Sequence, residues 1–210
     1  MTQLEPYFEG IKNELIIFSP YFVPGKEGVE FFKMLTDKGV RVKILTNSLA
    51  SNDVSVVHAG YSKYRKALLR AGVELYEMDK KLTRKQRKEK KGVGGSSKAS
   101  LHAKSFVLDR EKVFIGSLNL DPRSFYENSE IGVIIESKEM AAGMAERFDD
   151  GIENAAFRLE LVADEEDNEY ILWHGYEDGK KVTFEVEPYT SIWRRMGVGF
   201  MRIMPIESQL

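Results

Sequence analysis

The sequence predicts an α/β fold, and three observations carry that prediction. Short apolar runs at Glu14 to Ser19, Arg41 to Leu45 and Val73 to Tyr76 have the length of buried strands. Helical patterns at Gly28 to Asp37 and Asp53 to Ala71 separate them. A strand, helix, strand, helix, strand order lays helices against a sheet.

Each element has its own signal. The first strand ends in the Pro20 to Gly25 turn cluster. The second helix has Asp53 as its expected N-cap, Val57, Tyr61, Tyr64 and Leu68 along one side, and Gly72 as its stop. Residues 80–99 read as a mobile basic loop, with nine Lys or Arg against Glu89 between Lys80 and Lys98, ending in Gly-Gly-Ser-Ser. Leu101 to Leu108 and Lys112 to Ser117 read as strands joined by a tight turn at Asp109 to Glu111, with Glu130 to Glu136 as a third. In the helix that follows, Met140, Met144, Phe148 and Ile152 recur every four residues, which predicts a core-facing stripe. Residues 157–187 read as a β-rich tail, with Glu-Asp-Gly-Lys at 177–180 as a hairpin turn. The whole chain, 1–210, is expected to form a single domain.

Composition bounds the function. With 42% apolar residues the chain has the makings of an ordinary globular core. Its longest apolar runs, Leu15 to Phe18 and Ile131 to Ile135, fall far short of the roughly 20 residues of a membrane span. The lack of cysteine excludes disulfides and thiolate zinc sites and, with no signal peptide read at the start, gives a preference for the cytoplasm. A formal net charge of −2 gives no global attraction to polyanions, so recognition of anions falls to local patches.

The chemistry is concentrated in the stretch LHAKSFVLDREKVFIGSLNLDPRS. Residues two apart on a strand share a face, so His102 and Lys104 are expected to project together, with Ser117 and Asn119 beside them on the paired strand. An imidazole, an ammonium, a hydroxyl and an amide suit a phosphate, supplying a nucleophile or proton carrier and donors for the non-bridging oxygens. No metal ligands are required for this, and no cofactor is implied. Asp109 lies an odd number of residues from both His102 and Lys104 and is expected to face away, as a turn and ion-pair residue. Asp121 and Pro122 read as N-cap and first helical position, while Arg123 and Ser124 are candidates for further phosphate contacts.

His102, Lys104 and Asp109, followed by Gly116, Ser117 and Asn119, match the HxKx4Dx6GSxN signature of the phospholipase D superfamily at each position. With SPYFVPG at 19–25, the stretch from Leu45 to Glu77 and the terminal PIESQL, the chain resembles the carboxyl-terminal half of bacterial cardiolipin synthases of the type without transmembrane helices. The resemblance implies an α/β/α sandwich with a central mixed sheet, one half of a two-motif architecture, with Gly116 a structural member of the motif. It implies a phosphohistidine route to phosphatidyl transfer between phospholipids, phosphatidylglycerol among them. It also implies that Glu130 accepts the Nδ1 proton of His102.

That route needs two imidazoles, one to attack and one to protonate the leaving group. Neither His58 nor His174 has a lysine two residues on. The second histidine is therefore expected from an amino-terminal half or from a homodimer mate. In a fragment of a two-motif enzyme, His102 would be the general acid. Tyr21, Phe22, Tyr61 and Phe125 are candidates to line an apolar site, and His58 to meet a head group, with core packing the alternative for the aromatic residues. SIWRRMGVGFMRIM, within residues 190–204, has the composition of a helix lying on a bilayer, its arginines toward the head groups, with docking on the domain as the alternative. The expected place is the cytoplasm, peripheral to the inner membrane. Two other readings stay open: a homodimeric nuclease or phosphodiesterase of the same superfamily, for which nucleic acid is the disfavoured partner, and a phosphate-binding fragment without turnover.

Overall fold

The structure is a computed structural model and describes residues 5–81 and 100–203. Its strands are β1 (Glu14–Phe18), β2 (Arg41–Asn47), β3 (Glu74–Met78), β4 (Ser105–Leu108), β5 (Lys112–Gly116), β6 (Gly132–Glu136), β7 (Ala156–Ala163), β8 (Glu169–Glu177) and β9 (Lys180–Phe184). They form one sheet in the order β6-β5-β4-β1-β2-β3-β7-β8-β9. The centre, β1-β2-β3, is parallel, and both flanks are antiparallel. The helices are α1 (Glu5–Glu9), α2 (Gly25–Asp37), α3 (Ser55–Arg70), α4 (Pro122–Tyr126), α5 (Lys138–Gly151) and α6 (Ile192–Ile203).

Alternation along β1 makes the two cores. Leu15 and Ile17 join Val42, Ile44, Leu75, Phe106 and residues of α2 and α3 on one face. Ile16 joins Leu45, Val107 and Val113 under α5 on the other. Central strands buried on both faces read as continuous apolar runs, which is why the sequence shows them without a polar alternation.

Three expectations change. The face α5 buries is Ala141, Ala145 and Phe148, while Met140 is exposed and Met144 only partly buried. Small alanines let the helix approach the sheet, and hydropathy ranks them below methionine. Asp53 does not cap α3: the cap position is Val54, which lacks a side-chain hydrogen bond, and Asp53 instead accepts from the Tyr21 hydroxyl at 2.9 Å. The β-rich tail is part of the central sheet, since β7 pairs with β3. The bulk of the basic loop, 82–99, lies outside the described residues, as do Met204 and PIESQL.

A buried charge network ties the sheet to α5. The Lys43 ammonium, only 1% exposed, lies 2.8 Å from Glu14 and 2.6 Å from Asp149, and Arg110 reaches the same two carboxylates at 2.7 and 2.6 Å. Burial pushes Glu14 up, but hydrogen bonds from Arg110 and Lys43 outweigh it and hold the carboxyl below its usual range. A carboxylate so depressed stabilises the fold above its unfolded pKa and ceases to do so as pH falls through the folded value. Lys43→Met should therefore cost about 3 kcal/mol at pH 7. Thermal unfolding at pH 7 and pH 3 checks this, and the variant should show a smaller acid-induced loss than the parent chain.

Candidate active site at the carboxyl ends of the parallel strands

β4 runs antiparallel to β1, with Ser105 opposite Phe18. The residues just before β4 therefore sit where β1 and β2 end, the usual place for ligands in an open α/β sheet. The expected strand begins late: Leu101 to Lys104 precede the ladder. Two contacts hold this lead-in. Asn47, at the end of β2, receives the Leu101 N–H on Oδ1 at 2.9 Å and donates through Nδ2 to the Leu101 carbonyl at 3.2 Å. The Gly116 N–H donates to the Lys104 carbonyl at 3.1 Å. His102 is exposed between them, with no hydrogen bond among the described residues.

The second half of the motif folds against the first turn of the chain. Gly116 has no room for a side chain: a Cβ would lie 2.6 Å from the Ile131 carbonyl oxygen and 2.8 Å from the Phe114 ring. The loop after it is fixed by the Val23 N–H donating to the Leu120 carbonyl at 2.7 Å and the Leu120 N–H donating to Ser19 Oγ at 3.2 Å. Asp121 caps α4, accepting from the Ser124 N–H at 2.8 Å, as expected. The Asn119 side-chain carbonyl is buried and lacks a hydrogen-bond partner among the described residues, so this amide has unmet capacity.

Glu130 serves Ser117, not His102. Its carboxylate accepts from the Ser117 hydroxyl and from Asn128 Nδ2 at 3.3 Å, and Ser117 Oγ in turn accepts the Ile131 N–H at 3.0 Å. Burial lowers the Lys104 ammonium, and the nearby Glu130 and Asp121 carboxylates only partly oppose it. Burial raises Asp121, against the hydrogen bonds from Ser124. The cluster presents one imidazole, one partly desolvated ammonium and an amide that can grip a tetrahedral anion, beside a hydroxyl whose proton is held by Glu130.

Other candidates lie elsewhere. His58 is fully buried, with Nε2 3.0 Å from Glu187, in a network that also holds Arg65, Glu77 and Trp173. Phe22 and Tyr61 are core residues whose rings meet at 5.8 Å. Ser124 is buried through its cap, Arg123 is exposed on the first turn of α4, and Tyr21 is engaged with Asp53. His174 sits on β8, 2.7 Å from Glu160. Sequence reading missed Asn47; a polar residue closing an otherwise apolar strand was the available signal.

Asp109 faces away from the site, and its ion-pair role is corrected. Its carboxylate accepts three backbone N–H groups, from Lys12, Asn13 and Glu14 at 2.9, 2.7 and 2.9 Å, while its neighbour Arg110 makes the ion pairs. Five residues of strand put it roughly 16 Å from Lys104. Asp109 and Arg110 both have positive φ, as a tight hairpin turn of this twist demands.

Comparison with known proteins decides the lineage. The family described as "Cardiolipin synthase, PLD-like domain" matches residues 8–151, more than half of the chain. The chain belongs to this phospholipase D family. Cardiolipin synthase C of Escherichia coli is 46% identical over 193 residues, 91% of this chain and 40% of that protein, so the chain spans less than half the length of this relative. Two solved structures share the fold, each at TM-score 0.54 and 17% identity. Nuc of Salmonella typhimurium, a phospholipase D family member, aligns over 73% of this chain and 87% of its own. Phosphatidylserine synthase of Haemophilus influenzae aligns over 74% and 36%.

Within this phospholipase D family member, the separate placement of Asp109 and His102 has a measurable consequence. Asp109→Ala should cost about 2 kcal/mol, roughly 4–8 °C in melting temperature. The His102 ring resonances should stay in place, and thermal unfolding beside a histidine-selective NMR spectrum reads both.

Proposed function

We propose that this chain supplies one catalytic half-site for phosphatidyl transfer between phospholipids, as in cardiolipin synthesis. The observation that carries this reading is the arrangement of its histidines. His102 stands exposed beside Lys104, Ser117 and Asn119, whereas His58 is sealed in the core with Glu187 and His174 lies on β8.

In the proposed reaction one imidazole nitrogen bonds to phosphorus as the bond to the leaving alcohol breaks, and a second, protonated imidazole gives its proton to that alcohol. The phosphatidyl group then passes to a glycerol hydroxyl of phosphatidylglycerol, whose proton returns to the second imidazole. His102 takes the general-acid role, and the attacking histidine comes from a complementary half. Lys104 supplies the positive charge for the non-bridging oxygens, Asn119 donates to them through its amide N–H, and Ser117 joins them when its hydroxyl proton turns from Glu130.

Two apolar surfaces support the setting. Ile115, Val133 and Ile131 form one exposed row on β5 and its neighbour, ending where Ser117 bonds Ile131, with Ile131 79% exposed. Such a row beside an incomplete site suits the complementary half. On α6, Ile192, Trp193, Met196, Phe200 and Ile203 share an exposed stripe, with Trp193 77% exposed, while Val198 and Met201 pack toward α3. Two of the three arginines turn back to the domain: Arg194 donates to the Asn52 carbonyl at 2.9 Å and Arg195 to the Thr190 carbonyl at 2.7 Å, while Arg202 is exposed. The stripe, without Arg194 and Arg195, is the part suited to a bilayer surface. No helix among the described residues is long and apolar enough to cross a membrane.

Turnover on phosphatidylglycerol vesicles, measured for the chain alone over a dilution series and then with a supplied amino-terminal half, tests the proposal. Cardiolipin should form only with the supplied half, in EDTA as well as without it, and not with His102→Asn. Full turnover by the monomer alone, or plasmid cleavage without lipid transfer, would refute it.

A further inference from the structure

An apolar cavity of about 530 Å³ opens between α1, α2 and α4, walled by Phe8, Phe31, Met34, Leu118, Leu120 and Phe125. We propose that it holds one acyl chain of a phospholipid whose phosphate sits at the His102 site; the inference rests on the phosphate-site reading above.

The wall of the cavity is the loop that carries the phosphate donors. Ser117, Leu118, Asn119 and Leu120 alternate polar and apolar, and Leu118 and Leu120 are the residues that line the cavity. Successive side chains of an extended segment point to opposite sides, so this loop is the partition between the phosphate site and the cavity, one backbone thick. A phospholipid held at the phosphate site would carry its chain over the edge of that partition at Pro122, which also lines the cavity.

The rest of the cavity fits an extended hydrocarbon. Its volume is within the range of small-ligand sites, and its lining is mostly aromatic and aliphatic, with Glu9, Lys26 and Glu27 as its charged members. A helix about 10 Å across does not enter such a space. The walls are held independently of any occupant. The Val23 and Leu120 backbones bond at 2.7 Å, and the Phe8 ring meets Phe31 and Phe106 at 5.7 and 5.9 Å. Lys26 also borders the cavity, a charge able to lie over lipid carbonyls while its stem covers the chain.

The test uses the chain as it stands, by NMR, with inorganic phosphate, butyl phosphate and dodecyl phosphate, the last below its micelle concentration. All three should shift the His102 ring. Dodecyl phosphate should bind roughly a hundredfold or more tighter than butyl phosphate, given the free energy of each buried methylene. Its tail should show contacts to the Met34 methyl. Met34→Trp, a change at a side chain already 41% exposed, should remove most of the chain-length gain while leaving inorganic phosphate binding unchanged. Equal affinity for the three phosphates would overturn the inference and leave the cavity to a protein partner. A gain that survives Met34→Trp without Met34 contacts would place the tail elsewhere, as on α6, and overturn it too. Silence of His102 toward all three would remove the phosphate-site reading and this inference with it.

Discussion

A single buried amide holds the site together. Asn47 is 1% exposed, and its side chain receives the Leu101 N–H and donates to the carbonyls of Leu101 and Pro20, at 2.9, 3.2 and 3.2 Å, while Ser51 Oγ donates to its Oδ1 at 3.3 Å. A buried amide left unpaired is costly, and one fully paired fixes its neighbours. Asn47 thereby joins the turn after β1, the turn after β2 and the lead-in to β4. His102 gains a defined position outside any ladder because the residue before it is clamped on both backbone groups. Lys104 is pinned from the other side by Gly116, whose lack of a side chain lets the loop meet Ile131.

Much of this was legible in the sequence. The central strands and two main helices followed from apolar runs and glycine stops, because local signals decide them. The turn role of Asp109 followed from strand parity, although parity said nothing of its partners, three amides some 95 or more residues away in the chain. The same parity argument placed His102 and Lys104 on a strand they in fact precede. What failed has a common cause. Apolar character shows that a side chain is buried but not whether it meets a cavity or a core: Tyr61 is packed inside, whereas Phe22, also in the core, borders the cavity between α1, α2 and α4. His58 finds its partner 129 residues along the chain, at Glu187, a pairing no local pattern reveals. The carboxylate at Glu130 was read toward the imidazole, whereas the turn into β6 brings Ser117 against it first.

The proposed action on lipid asks how an aqueous-facing imidazole reaches such a substrate. The polar cluster is small and lies at the carboxyl ends of the parallel strands. The domain also carries three apolar surfaces: the cavity behind Leu118 and Leu120, the row Ile115, Val133 and Ile131, and the stripe on α6. On the proposed reading, a lipid or a complementary half brought against the exposed His102 would exclude water, which strengthens each hydrogen bond to phosphate and disfavours water against an alcohol as acceptor. Burial already lowers the Lys104 ammonium.

The clamp is the point at which the account is most exposed to test. Asn47→Ala should leave a folded chain of reduced stability, while the His102 ring response to inorganic phosphate weakens by tenfold or more, because the lead-in loses both of its anchors at Leu101. Circular dichroism and histidine-selective NMR on the same samples read the two effects separately. An Asn47→Ala chain whose His102 resonances and phosphate response match those of the parent would show that the clamp does not position the site, and would contradict the account.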